Sequence, residues 1–267
     1  MNRRIIQSPV FLILTMWILF SVIIVPSASA EFYVIAGSRG VGTEIRSLPY
    51  TISSPGLYYI TKDLTCVAGV HGITITANNV TLDLMGFSLI GPGGTGSYDG
   101  IYMNGRSNVE IRNGTVREFL RDAIREISVD GTGHRIVDMR IKENGSYGIN
   151  LGGKSHIVER CTALGNGATG MSVGRGSTVT GSTCYENDSY GISTGFGSTV
   201  TDNTCYSNVG GISTGSGSTV TCNTCHSNTV YGIYLGGYNL VDQNTALNNE
   251  TNMTTPEGCW FGANVAP

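Results

Sequence analysis

The sequence predicts an all-β protein, a three-sided parallel β-helix or solenoid of about eight coils, and three observations carry that expectation. Gly supplies 38 of the 267 residues while charged residues make up only 13%. Gly costs about 1 kcal/mol relative to Ala inside a helix, so long α-helices are disfavoured. The tetrapeptide Ser-Thr-Val-Thr recurs at 177–180, 198–201 and 218–221, a period of 20 to 21 residues. Each period holds three short β-prone pieces, for example 178–180, 183–185 and 191–194, separated by Gly, Asn, Asp and Ser. None is long enough for a hairpin sheet, so each period is one turn whose strands pair with the turns before and after it. With 40% hydrophobic residues and a net charge of −3, burial is not opposed by self-repulsion, and disorder is excluded.

Arg3 and Arg4 precede an apolar run over 10–25, then Pro26 and Ala28-Ser29-Ala30. This is the pattern of a cleaved secretory signal, so residues 1–30 are expected to be a signal peptide and the mature chain, from Glu31, to be secreted or periplasmic. No second apolar stretch of that length follows, and no membrane span is expected in the mature chain. Acidic residues outnumber basic ones, which excludes a nucleic-acid backbone as partner. Residues 31–57 and 251–267 lack the period; they are expected to cap a solenoid over 58–250, whose open strand ends would otherwise template aggregation. Trp260 and Phe261 then become lid hydrophobes.

A small residue followed by an apolar one marks eight registers: Gly72-Ile73, Gly100-Ile101, Ala123-Ile124, Gly148-Ile149, Gly170-Met171, Gly191-Ile192, Gly211-Ile212 and Gly232-Ile233. Alternation assigns the core. Val158, Val179, Val200, Val220 and Val241 face inward on one side, and Ile149, Met171, Ile192, Ile212 and Ile233 on a second. Ala163, Cys184, Cys205, Cys225 and Ala246 share a column on the third. Cys alternating with Ala marks small buried filler. The seven Cys are an odd number, so at least one thiol is unpaired in a monomer. Asn166, Asn187, Asn208, Asn228 and Asn249 recur at one turn position, where an amide can donate to one coil and accept from the other as a ladder.

Segments 79–87 (NVTLDLMGF) and 108–116 (NVEIRNGTV), with the Asn-bearing coils, resemble the secreted right-handed β-helix repeat proteins of the pectin-lyase-like superfamily, which includes NosD-type repeats. The resemblance implies a right-handed coil and, as partner, a polysaccharide or cell-envelope glycan.

Charge is dense over 110–160 and sparse over 161–249. Aligning strands on Leu82, Ile111, Val137 and Val158 places Asp83, Arg112, Asp138 and Glu159 in one outward column, continued by Thr180, Thr201 and Thr221. Asp138 and Glu159 would then stack as like charges at about 4.8 Å, which needs compensation by a divalent cation such as Ca²⁺ or by an Arg. Counting back from Asn144 instead makes Ile136 the inward residue, a slip that would turn Asp138 inward or into a turn. The loops over 91–99 and 129–134 are longer than their counterparts in later coils, and binding residues favour loops on a rigid scaffold.

The expected function is binding of extended carbohydrate on an outward sheet face, with Asp83 and Arg112 as ligand-binding residues. The alternative, implied by the resemblance, is a polysaccharide lyase or hydrolase. In it Asp138 and Glu159 position a cation or uronate, and Arg140 or Lys142 acts as base or charge stabiliser. Arg140-Ile141-Lys142 looks like the Arg-Ile-Lys signature of polygalacturonases, but Asn-Thr-Asp and Asp-Asp are missing and Gly133-His134-Arg135 stands where Gly-His-Gly would be. The Asp-Pro-His motif of alginate epimerases is missing too. A third reading takes the paired Thr residues at 178/180, 199/201 and 219/221 as the flat face of an ice-binding solenoid. Cys222 and Cys225 form a lone CxxC pair, and His71, His134, His156 and His226 are scattered, so zinc, redox and copper roles lack a ligand set.

Overall fold

The computed structural model describes residues 42–93 and 96–267. The signal peptide expected over 1–30, the stretch 31–41, and Gly94 and Thr95 of the 91–99 loop lie outside the described residues. Among the described residues every regular element is a strand and every strand pairing is parallel. No helix there is long and apolar enough to cross a membrane. The strands form one ten-stranded sheet and one eighteen-stranded sheet that bends around a corner to supply two sides of the coil. The ten strands of the smaller sheet mark about ten turns, where the marker pairs gave eight. The additional strands lie at the two ends: Thr43–Glu44 and Tyr50–Ile52 pair with Gly56–Tyr59 and Ile73–Ile75. Thr251–Met253 and Trp260–Phe261 pair with Tyr231–Leu235 and Leu240–Asp242. Backbone pairing continues there without the Gly-apolar marker. Trp260 is exposed, whereas its neighbour Phe261 packs against the core, as alternation on a strand requires.

The three expected core columns are in register. Val158, Val179, Val200, Val220 and Val241 are successive Cα partners, as are Ile149, Met171, Ile192, Ile212 and Ile233. Ala163, Cys184, Cys205, Cys225 and Ala246 form the third, and all fifteen side chains are fully buried. The marker Gly is small for a steric reason. A Cβ on Gly211 would sit 2.3 Å from the carbonyl oxygen of Gly232, and one on Gly170 would sit 2.7 Å from that of Gly191. Coil therefore packs on coil only through a small residue there.

One corner of each coil is a left-handed residue. Asn113, Asp138, Arg160, Gly181, Asp202, Cys222 and Gln243 carry φ between 51° and 59°, and strands Val109–Arg117 and Arg135–Lys142 run through this corner unbroken. Beside the corners stand polar ladders. In the expected one, Asn166 Nδ2 donates to Asn187 Oδ1 at 2.8 Å, Asn187 to Asn208 at 2.9 Å, Asn208 to Asn228 at 3.1 Å and Asn228 to Asn249 at 3.0 Å. A second runs through Ser182, Asn203, Asn223, Asn244 and Asn264. In a third, backbone N–H groups donate to His134, His156, Ser177, Ser198, Ser218 and Asn239 in turn. Each bond contributes about 1 kcal/mol net, and each one left unmade in the buried turn costs more than that.

Candidate functional site

The charged column on the larger sheet is built differently from the expected one. Asp83 pairs with Arg112 as expected, but Arg112 pairs with Val137, and Val137 with Glu159. Ile136, not Val137, is the inward residue, so Asp138 leaves the column and becomes the left-handed corner. This corrects the alignment on Val137, and its cause is the one-residue slip that counting back from Asn144 revealed. Val137 separates Arg112 from Glu159 in the column.

The carboxylates there are consumed by arginines. Arg112 holds Asp83 at 2.9 Å and Glu110 at 2.9 Å. Arg135 lies 3.5 Å from Glu110 and 4.0 Å from Glu159. Arg160 meets Asp138 at 2.8 and 3.0 Å and also bonds Glu159. Arg160 thus supplies the compensation that Asp138 and Glu159 need, and its hydrogen bonds hold the Asp138 carboxyl below its ordinary value. Asp83 is also used internally, accepting from the Met85 N–H at 2.8 Å and Asn113 Nδ2 at 3.3 Å. Beyond the corner, Arg140 Nε donates to Thr115 Oγ1 at 3.1 Å, and Lys142 lies in register between Arg117 and Leu164. Among the described residues no group of three or more His, Cys, Asp or Glu is placed to hold a metal ion. The paired Thr columns are in register over three coils, bordered by Ile157 and Glu159 on one side and Leu240 and Asp242 on the other.

The ten-stranded sheet presents a different face. Its outward column runs Thr51, Thr74, Tyr102, Arg125, Asn150, Ser172, Ser193, Ser213, Tyr234. At the turn that opens these strands, His71, Asp99 and Asp122 occupy one position in three successive coils: the N–H of Gly72 bonds the carbonyl of Asp99, and that of Gly100 the carbonyl of Asp122. Each directly precedes a marker pair, a signal present in the sequence and missed because only the pair was aligned. Later coils put Tyr147, Thr169, Tyr190, Gly210 and Tyr231 there.

The carboxylates are partly tied into the turn. Asp99 Oδ1 accepts the Asp122 N–H at 3.1 Å. Asp122 Oδ1 accepts the Tyr147 N–H at 3.1 Å, and its Oδ2 accepts Asn150 Nδ2 at 2.9 Å. Asp99 Oδ2 and Arg125 Nε and Nη1 are buried without a hydrogen-bond partner among the described residues. Arg125 Nη1 stands 4.0 Å from Asp99 Oδ2, and its Nε 3.7 Å from Asp122 Oδ2. His71 Nδ1 accepts the Asp99 N–H at 3.0 Å, which places the proton of a neutral ring on Nε2. Its ring stacks on Tyr102 at 4.3 Å, with Tyr98 edge-on at 5.8 Å. Burial, reinforced by the Asp122 charge, pushes the Asp99 carboxyl up to about 6. Burial, reinforced by the Arg121 charge, lowers His71. The cluster therefore joins a carboxyl that titrates near neutrality, a neutral imidazole, a guanidinium with free donors and a tyrosine, all beside an open row of hydroxyls.

A parallel β-solenoid with a polar, partly unsatisfied sheet face is the class that fold and site define. Residues 125–264 match the family described as right handed beta helix region, and the chain belongs to that family. Among solved structures, the A-module of the Azotobacter vinelandii mannuronan C-5 epimerase AlgE4 superposes with a TM-score of 0.59 at 14% identity, over 80% of each chain. The Dettilon tailspike protein (gp208) gives 0.52 at 15% identity over 84% of this chain and 59% of the tailspike. The Agl-KA catalytic domain gives 0.51 at 15% identity over 78% of this chain and 51% of the other. At such identities these likenesses show the fold. No curated protein matches the sequence.

Proposed function

We propose that the protein is an exported β-helix that binds an extended carbohydrate along the outward face of its ten-stranded sheet, centred on Tyr102, Arg125 and Asn150. One observation carries this reading: beside an aromatic pair, Asp99 Oδ2 and Arg125 Nε and Nη1 are buried without a hydrogen-bond partner among the described residues, held only by polar contacts of 3.4 to 4.0 Å to His71, to each other and to Asp122. Each such group left unbonded costs about 1–3 kcal/mol. The Arg125 side chain is 17% exposed while Asp99 is fully buried, so the guanidinium is the member of the pair that a sugar hydroxyl reaches from the sheet face. Serines at 172, 193 and 213 and Asn150 continue the hydroxyl and amide row along the solenoid axis, which suits a chain rather than a single sugar. The likeness to the A-module of a mannuronan C-5 epimerase supports a saccharide partner.

A second reading is favoured by Asp99, whose carboxyl near 6 suits proton transfer at neutral pH. In it the same face processes the polymer, with Asp99 as acid or base. Binding is tested by titrating neutral and acidic oligosaccharides into the protein and into Arg125→Gln. Unchanged affinity across the set would sink the sheet-face reading. Turnover is tested by incubating protein and Asp99→Asn with pectate and alginate, with and without Ca²⁺, and following unsaturated or shortened products. Product that forms equally with Asp99→Asn removes Asp99 from the chemistry.

A further inference from the structure

A second surface lies at the opposite end of the same strands. Strands Ile149–Lys154 and Met171–Arg175 end in a turn where, after a register shift beyond Leu151, Lys154 and Arg175 are Cα partners, so two exposed cations start from neighbouring strands whose backbones lie about 4.8 Å apart. The next coil places Phe196 at this turn position, since the Gly176 N–H bonds the Phe196 carbonyl as the Ser155 N–H bonds that of Arg175. These three residues, with Val129, Asp130 and Gly153, line a groove of about 540 Å³.

Two features of this groove have no internal explanation. Like charges directly opposite on neighbouring strands are destabilising, yet neither Lys154 nor Arg175 has an acidic partner within 4.0 Å among the described residues. Arg112, Arg135 and Arg160, which hold the carboxylates of the larger sheet, each have one. Phe196 is 67% exposed and Val129 79%, two apolar side chains beside the cation pair. With Asp130 also in the lining the groove keeps a net positive charge, and that carboxylate offers an acceptor for hydroxyls.

We propose that this groove is a binding site for an anionic sugar unit: its carboxylate or sulfate ester lies between Lys154 and Arg175, and the apolar face of its ring packs on Phe196. The inference rests on the saccharide reading for its ligand class but on a different set of residues. It makes the glycan an acidic one, held at both ends of the strands of the ten-stranded sheet.

The test uses tetragalacturonate, its fully methyl-esterified form and a sulfated carrageenan tetrasaccharide, titrated by calorimetry into the full chain. The unmodified protein is expected to bind the acid at least tenfold more tightly than the ester, with affinity falling as NaCl rises. Lys154→Ser/Arg175→Ser is expected to abolish that preference, and Phe196→Ser to weaken the acid and the ester together. Ser216 holds the same turn position in the coil after Phe196, so the backbone accommodates Ser; unchanged thermal unfolding checks this. The carrageenan arm decides between carboxylate and sulfate. Equal binding of acid and ester by the unmodified protein, or an unchanged preference in the double variant, overturns the proposal. Arg125→Gln separates the two readings: weakened binding of acid and ester alike there, with the charge preference retained, supports both. If only Arg125→Gln matters, the groove fails, and if only the double variant matters, the sheet-face reading fails.

Discussion

The backbone N–H of Asp122 donates to Asp99 Oδ1 at 3.1 Å, so two carboxylates occupy the same turn in neighbouring coils, while the second oxygen of Asp99 stays buried without a hydrogen-bond partner among the described residues, 3.4 Å from His71 Nδ1. A turn built this way is stabilised by the carboxylate as acceptor and strained by its charge. The two effects separate with pH and with substitution.

Asp99 is fully buried, and its folded pKa of about 6 lies above the ordinary 3.8. The protonated form is therefore the one the fold prefers. Its contribution is fully present below pH 3.8 and is lost as pH rises through 6, a change of up to about 3 kcal/mol. Asp99→Asn keeps the acceptor for the Asp122 N–H and removes the charge. The variant is expected to be more stable than the parent by about 1–3 kcal/mol at pH 7.5, to show no gain at pH 4, and to bind saccharide more weakly. Urea unfolding at the two pH values checks the first part. A variant less stable than the parent at pH 7.5 contradicts it.

His156 behaves with the opposite sign. Burial, reinforced by the neighbouring His134, lowers its pKa to about 4, while its Nδ1 accepts the His134 N–H and its Nε2 bonds the Gly152 carbonyl at 2.7 Å. The fold prefers the neutral ring, so this stability is present above about pH 6.5 and is lost as pH falls toward 4, again by up to about 3 kcal/mol. His156→Ser, which matches Ser177 one coil on, is expected to flatten that part of the pH profile. An unchanged profile between pH 4 and 6.5 argues against the assignment.

Asn208 tests the ladder. Its amide donates to Cys184 O, Tyr206 O and Asn228 Oδ1 at 3.0 to 3.1 Å, and its oxygen accepts both the N–H and the side-chain amide of Asn187. Asn208→Ala leaves these groups buried and unpaired, and a loss of about 3–5 kcal/mol is expected in chemical denaturation. A loss under 1 kcal/mol would mean that water replaces the amide.

Thiol chemistry reads the core columns directly. Cys66, Cys161, Cys184, Cys205 and Cys225 are buried, Cys222 is exposed and Cys259 lies between. Burial pushes the Cys161 thiol up to about 12 and also raises Cys184 and Cys225. Ellman's reagent on the native protein is expected to modify Cys222 rapidly, Cys259 slowly and the other five only after unfolding. Rapid reaction of more than two thiols would place the Cys column outside the core.

The sequence alone determined the solenoid, its three core columns and the first Asn ladder, because a repeat of 20 to 21 residues forces equal positions into contact and burial then demands the same kind of residue each time. The right hand of the coil was expected from resemblance and from a period near 21 residues rather than six, and a carbohydrate partner was an expectation from resemblance alone. Register where the repeat lengthens was the weak point: strand Arg135–Lys142 follows the long 129–134 loop, and one residue of ambiguity decided whether Asp138 faced its neighbours or turned the corner. The ion pairs that occupy Asp83, Arg112, Asp138 and Glu159 depend on side chains reaching between coils, and no one-dimensional spacing specifies that. Only the tertiary structure brought His71, Asp99, Asp122 and Arg125 together, and only it left Asp99 Oδ2 and Arg125 Nε and Nη1 without hydrogen-bond partners among the described residues. Burial and the lack of a partner are properties of the space around an atom, and the order of residues along the chain does not contain them.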